Sequence, residues 1–203
     1  MSCYVKNILL ENNGSKKVYN VLINNNENPT CQAKWNNLFQ NVDWKKIYGL
    51  VFRITRDTYI QWFQTRIIHR ILATNSLLFK MKIVNDILCT FCLSEEETLV
   101  HLFWNCNVVQ TLLNCVKNVI STGNEPFTLD CQTFMLGSTC ENCDKYNILY
   151  YEIKKYIYLC KRKKINPSFV GLKGSLKLSW NIYKNTCIKD NEHTNWSVVR
   201  MFT

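Results

Sequence analysis

Between residues 31 and 190, apolar positions recur at the three- and four-residue steps of a helix, which predicts a mainly α-helical chain. Trp35, Leu38 and Phe39 fit one helical face. Asp43 is suited to cap a second helix carrying Trp44, Ile47, Tyr48, Val51 and Phe52. A third is expected from about Asp57 to Leu72, with Ile60, Phe63, Ile67 and Ile71 as its buried stripe, stopped by the turn Thr74-Asn75-Ser76. Residues 123–144, with Gly123, Pro126 and Gly137, read as a looser connection. Residues 145–190 predict two more helices separated by Asn166-Pro167. In the first of these Leu149, Ile153, Tyr156 and Cys160 share a face, and the run Lys161-Arg162-Lys163-Lys164 places positive charge at its C-terminus, where the helix dipole favours it. Residues 1–30 are polar and rich in Asn, with a short helix or strand near Lys16–Ile23, and 191–203 read as a polar tail. The division expected is thus an N-terminal segment (1–30), a helical domain (31–190) and a tail (191–203).

Composition changes this picture in two ways. A chain of 203 residues with 47% hydrophobic content can bury a core, and its net charge of +10 favours an anionic partner. No apolar run reaches the ~18 residues of a membrane span, and Met1 to Leu10 do not resemble a secretory signal. An intracellular, reducing setting, nucleus or cytoplasm, is therefore expected, with no membrane partner. There the 11 cysteines read as buried apolar residues and metal ligands and not as a disulfide framework.

The sharpest chemical pattern is Cys89-x2-Cys92-x8-His101-x4-Cys106. Two thiols two residues apart can face one ion, and three thiolates with one imidazole form a closed tetrahedral donor set suited to zinc. Four protein ligands leave no open position, so one structural zinc per chain is expected. Ser94 and Glu97 have the spacing of a capping box, which predicts a helix starting at Glu95, with His101 in its second turn and Cys106 near its end. The fold predicted is a helical domain in which a small CCHC zinc knuckle, within 86–110, braces a helix.

The segment Glu96-Glu97-Thr98-Leu99-Val100-His101-Leu102-Phe103-Trp104-Asn105-Cys106 resembles the zinc-binding domain that follows the polymerase in LINE-type, non-LTR retrotransposon reverse transcriptases. Upstream, Trp35, Trp44-x-x-Ile47-Tyr48, Phe63 to Asn75 and Ile83-x-x-Asp86-x-x-Cys89 are similar to the same family. Downstream, Ile153 to Tyr158 and the basic run up to Pro167 are too, after a family glycine that corresponds to Gly137. The resemblance implies a C-terminal piece of a longer polyprotein that contacts RNA or single-stranded DNA beside the reverse transcriptase domain of the same element. The family's polymerase needs a Tyr-x-Asp-Asp motif, which this sequence lacks, so no enzymatic activity of its own is expected.

On the third predicted helix Trp62, Arg66 and Arg70 stand at i, i+4 and i+8, with Tyr59 beside them. Arginines that meet phosphates next to a ring that stacks on bases suit single-stranded nucleic acid, and Lys161, Arg162, Lys163 and Lys164 extend the charge. A packed Trp62 with merely solvated arginines is the other reading of the same residues. Glu95, Glu96 and Glu97 read as ordinary acids of a first helical turn. His69 reads as solvated, and His193 carries no signal. Cys140 and Cys143 read as two loop cysteines, with a redox pair less favoured for want of a thioredoxin-like context. Two function classes follow: a nucleic-acid-binding module of a reverse transcriptase, or a structural zinc domain that braces a neighbouring polymerase.

Overall fold

A computed structural model describes residues 28–121, 129–140, 143–186 and 196–203. The element expected near Lys16–Ile23 lies outside them, as do Gly123, Pro126 and His193. The chain divides into two compact units, Met1–Leu38 and Phe39–Thr203. In the first, α1 (Thr30–Asn36) carries the buried Cys31, Gln32 and Trp35. The helix stops at Asn36, so Leu38 and Phe39 do not continue its face. The Leu38 side chain is exposed, and its N–H bonds the Trp35 carbonyl at 2.9 Å.

The second unit is helical, with no β-strand among its described residues beyond an isolated bridge between Leu88 and Glu96. Helix α2 (Trp44–Ile54) starts as expected, with the Asp43 carboxylate accepting from the Lys46 N–H at 3.1 Å. It buries Ile47, Leu50, Val51 and Ile54, while Phe52 faces outward. Helix α3 (Thr58–Ile68) is capped by Asp57, which accepts from the Tyr59 and Ile60 N–H groups at 2.8 and 3.3 Å. Ile60, Phe63 and Ile67 are buried as the periodicity predicts.

The end of α3 comes earlier than expected. Arg70 takes the left-handed conformation (φ 58°), its N–H bonds the Ile67 carbonyl, and the Ile71 N–H reaches back to the Arg66 carbonyl. This paired closure is the Schellman motif, here without a glycine. It turns the chain outward, so Ile71 is exposed and does not extend the stripe. Thr74 then starts α4 (Asn75–Lys80) by accepting from the Leu77 N–H at 3.3 Å. The turn that was expected to stop one helix therefore also begins the next.

Helix α5 (Asn107–Ser121) follows the metal-ligand region. Helix α6 (Cys131–Leu136), capped by Asp130, lies in the stretch expected to be a loose connection. Gly137 ends it at φ 97°, where a Cβ would sit 2.6 Å from the Leu50 side chain. Any other residue there meets both backbone strain and α2. Helices α7 (Asp144–Lys163) and α8 (Phe169–Thr186) are separated at Asn166-Pro167, as predicted. Helix α7 is the axis of the fold and packs against α2, α3, α6, α8 and the short α9 (Ser197–Arg200). The chain's last stretch is apolar where it counts: Trp196, Val198, Val199 and Phe202 are all buried.

Candidate metal centre

Cys89, Cys92, His101 and Cys106 come from three pieces of chain: the knuckle, a short helical segment and the residue just past it. The knuckle is closed by two backbone bonds. The Cys89 N–H donates to the Glu95 carbonyl at 2.8 Å, and the Leu93 N–H donates to the Cys89 carbonyl at 3.0 Å. The predicted capping box does not form, because the chain from Leu93 to Thr98 is not helical. Thr98 caps instead: its hydroxyl accepts from the His101 N–H at 3.1 Å, and helical backbone begins at Leu99. Residues His101–Asn105 make a π-helical turn, and Cys106 follows in extended conformation. A wide π turn sets His101 and Cys106 toward the same point and aims Leu102 and Phe103 into the core.

One ligand atom from each of the four residues lies within 4.8 Å of all the others. The Cys89 and Cys106 sulfurs are 3.9 Å apart, and Cys92 Sγ is 3.3 Å from His101 Nε2. Zn–S bonds of about 2.3 Å in a tetrahedron require S···S edges of about 3.8 Å, so the donor set fits such an ion. The other ring nitrogen, His101 Nδ1, lies 3.1 Å from the Glu95 carboxylate. A carboxylate holding that nitrogen's proton leaves Nε2 as the lone-pair donor, the usual outer support of a metal-bound imidazole.

Burial pushes the Cys89 thiol up to about 12, and the Cys106 thiol upward as well. Burial acts in the same sense on Cys92, but hydrogen bonds from Ser94, Glu95 and His101 outweigh it and bring that thiol down to about 6. Converging buried sulfurs of this kind suit a cation that replaces their protons and offsets their charge.

The three glutamates before His101 are not first-turn dipole complements. Glu95 supports the imidazole. Glu96 accepts a hydrogen bond from the Ser76 hydroxyl. Glu97 is wholly buried. Its carboxylate accepts from the Asn75 N–H at 2.8 Å and from the Thr90 N–H and hydroxyl at 2.8 and 2.7 Å. It also pairs with Lys161 Nζ at 3.2 Å. Lys161 in turn bonds Asn75 Oδ1 at 3.2 Å. Glu97 thus ties the knuckle, the start of α4 and the end of α7 together. The sequence did place an acid here, but not its partner 64 positions away.

The basic strip is regrouped. Trp62 is 69% exposed, which does not fit a ring packed between helices. Arg66 is half-buried, with Nε lacking a hydrogen-bond partner among the described residues. Arg70 lies beyond the end of α3, so the i, i+8 relation to Trp62 does not hold. Lys161 is occupied by Glu97, while Arg162, Lys163 and Lys164 are exposed. Tyr158 carries no signal of its own in the sequence, and its hydroxyl donates to the Ala73 carbonyl at 3.5 Å. Burial raises its hydroxyl, and the charges of Arg66 and Arg162 both act on it in the opposite sense. His69 caps α3 and stacks on Tyr48, with ring centroids 5.7 Å apart. Cys140 and Cys143, read as two loop cysteines, are joined by a disulfide.

A helical domain with a converging Cys3His donor set defines a class, that of domains with a site able to hold a metal ion. The comparison points to a family: residues 15–112 match the family model for zinc-binding in reverse transcriptase, so this part of the chain is similar to that family. The match contains all four candidate ligands and α2 to α4; the resemblance read at 153–167 lies outside it. No curated protein and no solved structure matches the chain.

Proposed function

We propose that this chain is the zinc-binding, nucleic-acid-binding module of a LINE-type retrotransposon reverse transcriptase, with no polymerase or nuclease activity of its own. Cys89, Cys92, His101 and Cys106 hold one structural zinc per chain, and the ion's chemistry is to fix the knuckle. It presents no open coordination position. The bound partner is RNA or single-stranded DNA, met inside the cell. The observation that carries the reading is the outward-facing Trp62 on the helix that also supplies Arg66, with Arg162 exposed at the end of α7. An exposed stacking ring on a helix that also carries a cation suits an unpaired base and its phosphates.

The test is binding of a single-stranded oligonucleotide, RNA and DNA in parallel, across a range of salt. Replacing Arg66 and Arg162 by Ala should weaken binding to every sequence alike and flatten the salt dependence by about one unit of slope per lost phosphate contact. Trp62→Ala should weaken binding with the slope nearly unchanged, because stacking releases no counterions. If the triple variant binds as well as the parent at moderate salt, this reading falls. Bracing of a neighbouring polymerase then takes its place.

A further inference from the structure

Helix α8 is apolar on two opposite sides. One side, Leu172, Leu176 and Tyr183, is buried, and the helix packs against α5, α7 and α9. Two-sided apolar character is the mark of a helix covered on both faces. The other side carries Val170, Leu178 and Ile182, which are 81%, 61% and 56% exposed. These three and Gly174 are spaced four residues apart, so at about 3.6 residues per turn they form one slanting stripe. Gly174 lies mid-stripe, and apart from its own chain neighbours and helix backbone nothing comes within 4 Å of where its Cβ would be, which leaves room for a backbone to approach closely. Scattered exposed aliphatics need no explanation, but a continuous helical stripe does.

Charge identifies what covers it. Residues 169–186 contain no acid, and their charged residues are Lys173, Lys177 and Lys184. The same helical step puts all three lysines along one edge of the stripe and leaves the other edge, with Gly171 and Ser175, uncharged. None of the three is held in an ion pair among the described residues. A second copy of this helix brings only further lysines, and an antiparallel copy sets the two lysine edges against each other. A nucleic-acid strand has a use for the lysines but none for the stripe.

We propose that the outer face of α8 docks an amphipathic helix of a separate protein, whose apolar side covers Val170, Gly174, Leu178 and Ile182 and whose Asp or Glu residues line the edge facing Lys173, Lys177 and Lys184. This is the helix-in-groove mode of recognition, with charge setting orientation and partner choice. The surface is on a different helix from Trp62 and Arg66, and the inference does not rest on nucleic-acid binding.

The test uses the full chain, zinc-loaded, and three synthetic helical peptides as probes. The first has a Leu stripe with a Glu edge, the second the same stripe with a Lys edge, and the third the Glu edge with Ser in place of Leu. The first should bind at least about tenfold more tightly than either of the others. Leu178→Ser with Ile182→Ser should lose that binding by a similar factor, and both positions are exposed enough to spare the fold. Lys173→Glu with Lys177→Glu should reverse the preference toward the Lys-edged peptide. That reversal is the decisive readout, since a nonspecific apolar contact does not produce it. The proposal is overturned if the three peptides bind alike or not at all, or if charge reversal leaves the order unchanged. It is also overturned if the stripe variants abolish self-association or binding to phosphatidylserine vesicles in place of peptide binding.

Discussion

Residues 75–106 and the bundle around α7 differ in how much of their order the backbone supplies. Helix α7 spans Asp144–Lys163 and carries its own ladder of hydrogen bonds, and the apolar faces packed around it do the rest. From Met81 to Thr98 there is no helix at all. Beyond the few backbone bonds that close the knuckle, that stretch is held by side chains that bond backbone: Asn75 Nδ2 to the Leu88 carbonyl at 2.7 Å, Asp86 from the Leu88 N–H at 2.9 Å, and Glu97 from Thr90 and Asn75. Each region also buries ionisable residues; in α7 Glu152 pairs with Lys155 at 2.6 Å, and the contrast lies between two others. Glu97 meets a cation, Lys161. Lys154, equally buried, meets only neutral groups among the described residues: Gln64 Oε1 at 2.7 Å and the Met135 carbonyl at 3.1 Å, with the Phe134 and Tyr151 rings nearby. Where the backbone is irregular, order depends on a few polar hubs; where it is regular, the core can hold an isolated amine.

The largest expected effect tests whether these are separable regions. In metal-binding peptides the free energy of structural zinc reaches about 10–16 kcal/mol, and much of it appears as folding. Chelation, or Cys92→Ser, should remove the metal and abolish amide-exchange protection across residues 87–106, while Ile148–Ile157 in α7 stay protected. Simultaneous loss of protection in α7 would erase the contrast and make the two regions one cooperative unit. Full zinc content in Cys92→Ser would show that the ligands were wrongly chosen.

Next in size is the hub. Glu97→Gln leaves the Lys161 ammonium, 10% exposed, without its carboxylate. Breaking one side of a buried pair costs about 3–5 kcal/mol, much of it from the stranded partner. Denaturant unfolding of Glu97→Gln, Lys161→Met and the double variant measures this. The double variant should be less destabilised than the sum of the singles. Additive losses would mean that the 3.2 Å contact contributes no coupling, and that Glu97 acts only through Asn75 and Thr90.

Local signals were legible in the sequence and long-range ones were not. Asp43 and Asp57 act on N–H groups two or three residues away, and both caps can be read from a few neighbouring letters. The knuckle spacing works in the same way, because metal geometry constrains short separations. The Ser94–Glu97 pair follows the same local grammar, yet it fails: Glu97 finds Asn75 and Lys161, which tertiary packing brings to it, and Thr98 takes over the cap. The end of α3 was hidden for a different reason. A left-handed C-terminus is normally announced by Gly or Asn, and here the position is filled by Arg70. The C-terminal stretch did carry a signal, since Trp196, Val199 and Phe202 stand three residues apart, but eight residues are too few for periodicity to weigh much.

The smallest expected effect concerns Lys154 and sharpens the contrast with Glu97. Burial holds its amine well below the ordinary 10.5. Below that depressed value the amine is protonated in both the folded and the unfolded chain, and the burial penalty is felt in full. Between the depressed value and 10.5, the unfolded chain holds a proton that the folded chain lacks, so stability rises with pH. Above 10.5 neither state holds it and the penalty is gone. One such proton is worth a slope of about 1.4 kcal/mol per pH unit. Lys154→Met removes this contribution, and the Met135 carbonyl keeps the Gln64 amide as a donor at 2.8 Å. Unfolding free energies of parent and variant, measured between pH 7 and pH 10, should differ by an amount that shifts toward the parent as pH rises, since only the parent gains from deprotonation. Tyr151 beside it is itself pushed upward by burial and stays protonated over this interval, so it does not mimic the effect. A pH-independent difference would mean that Lys154 keeps its proton inside the fold, and that the bundle, like the metal-binding region, supplies a counter-charge.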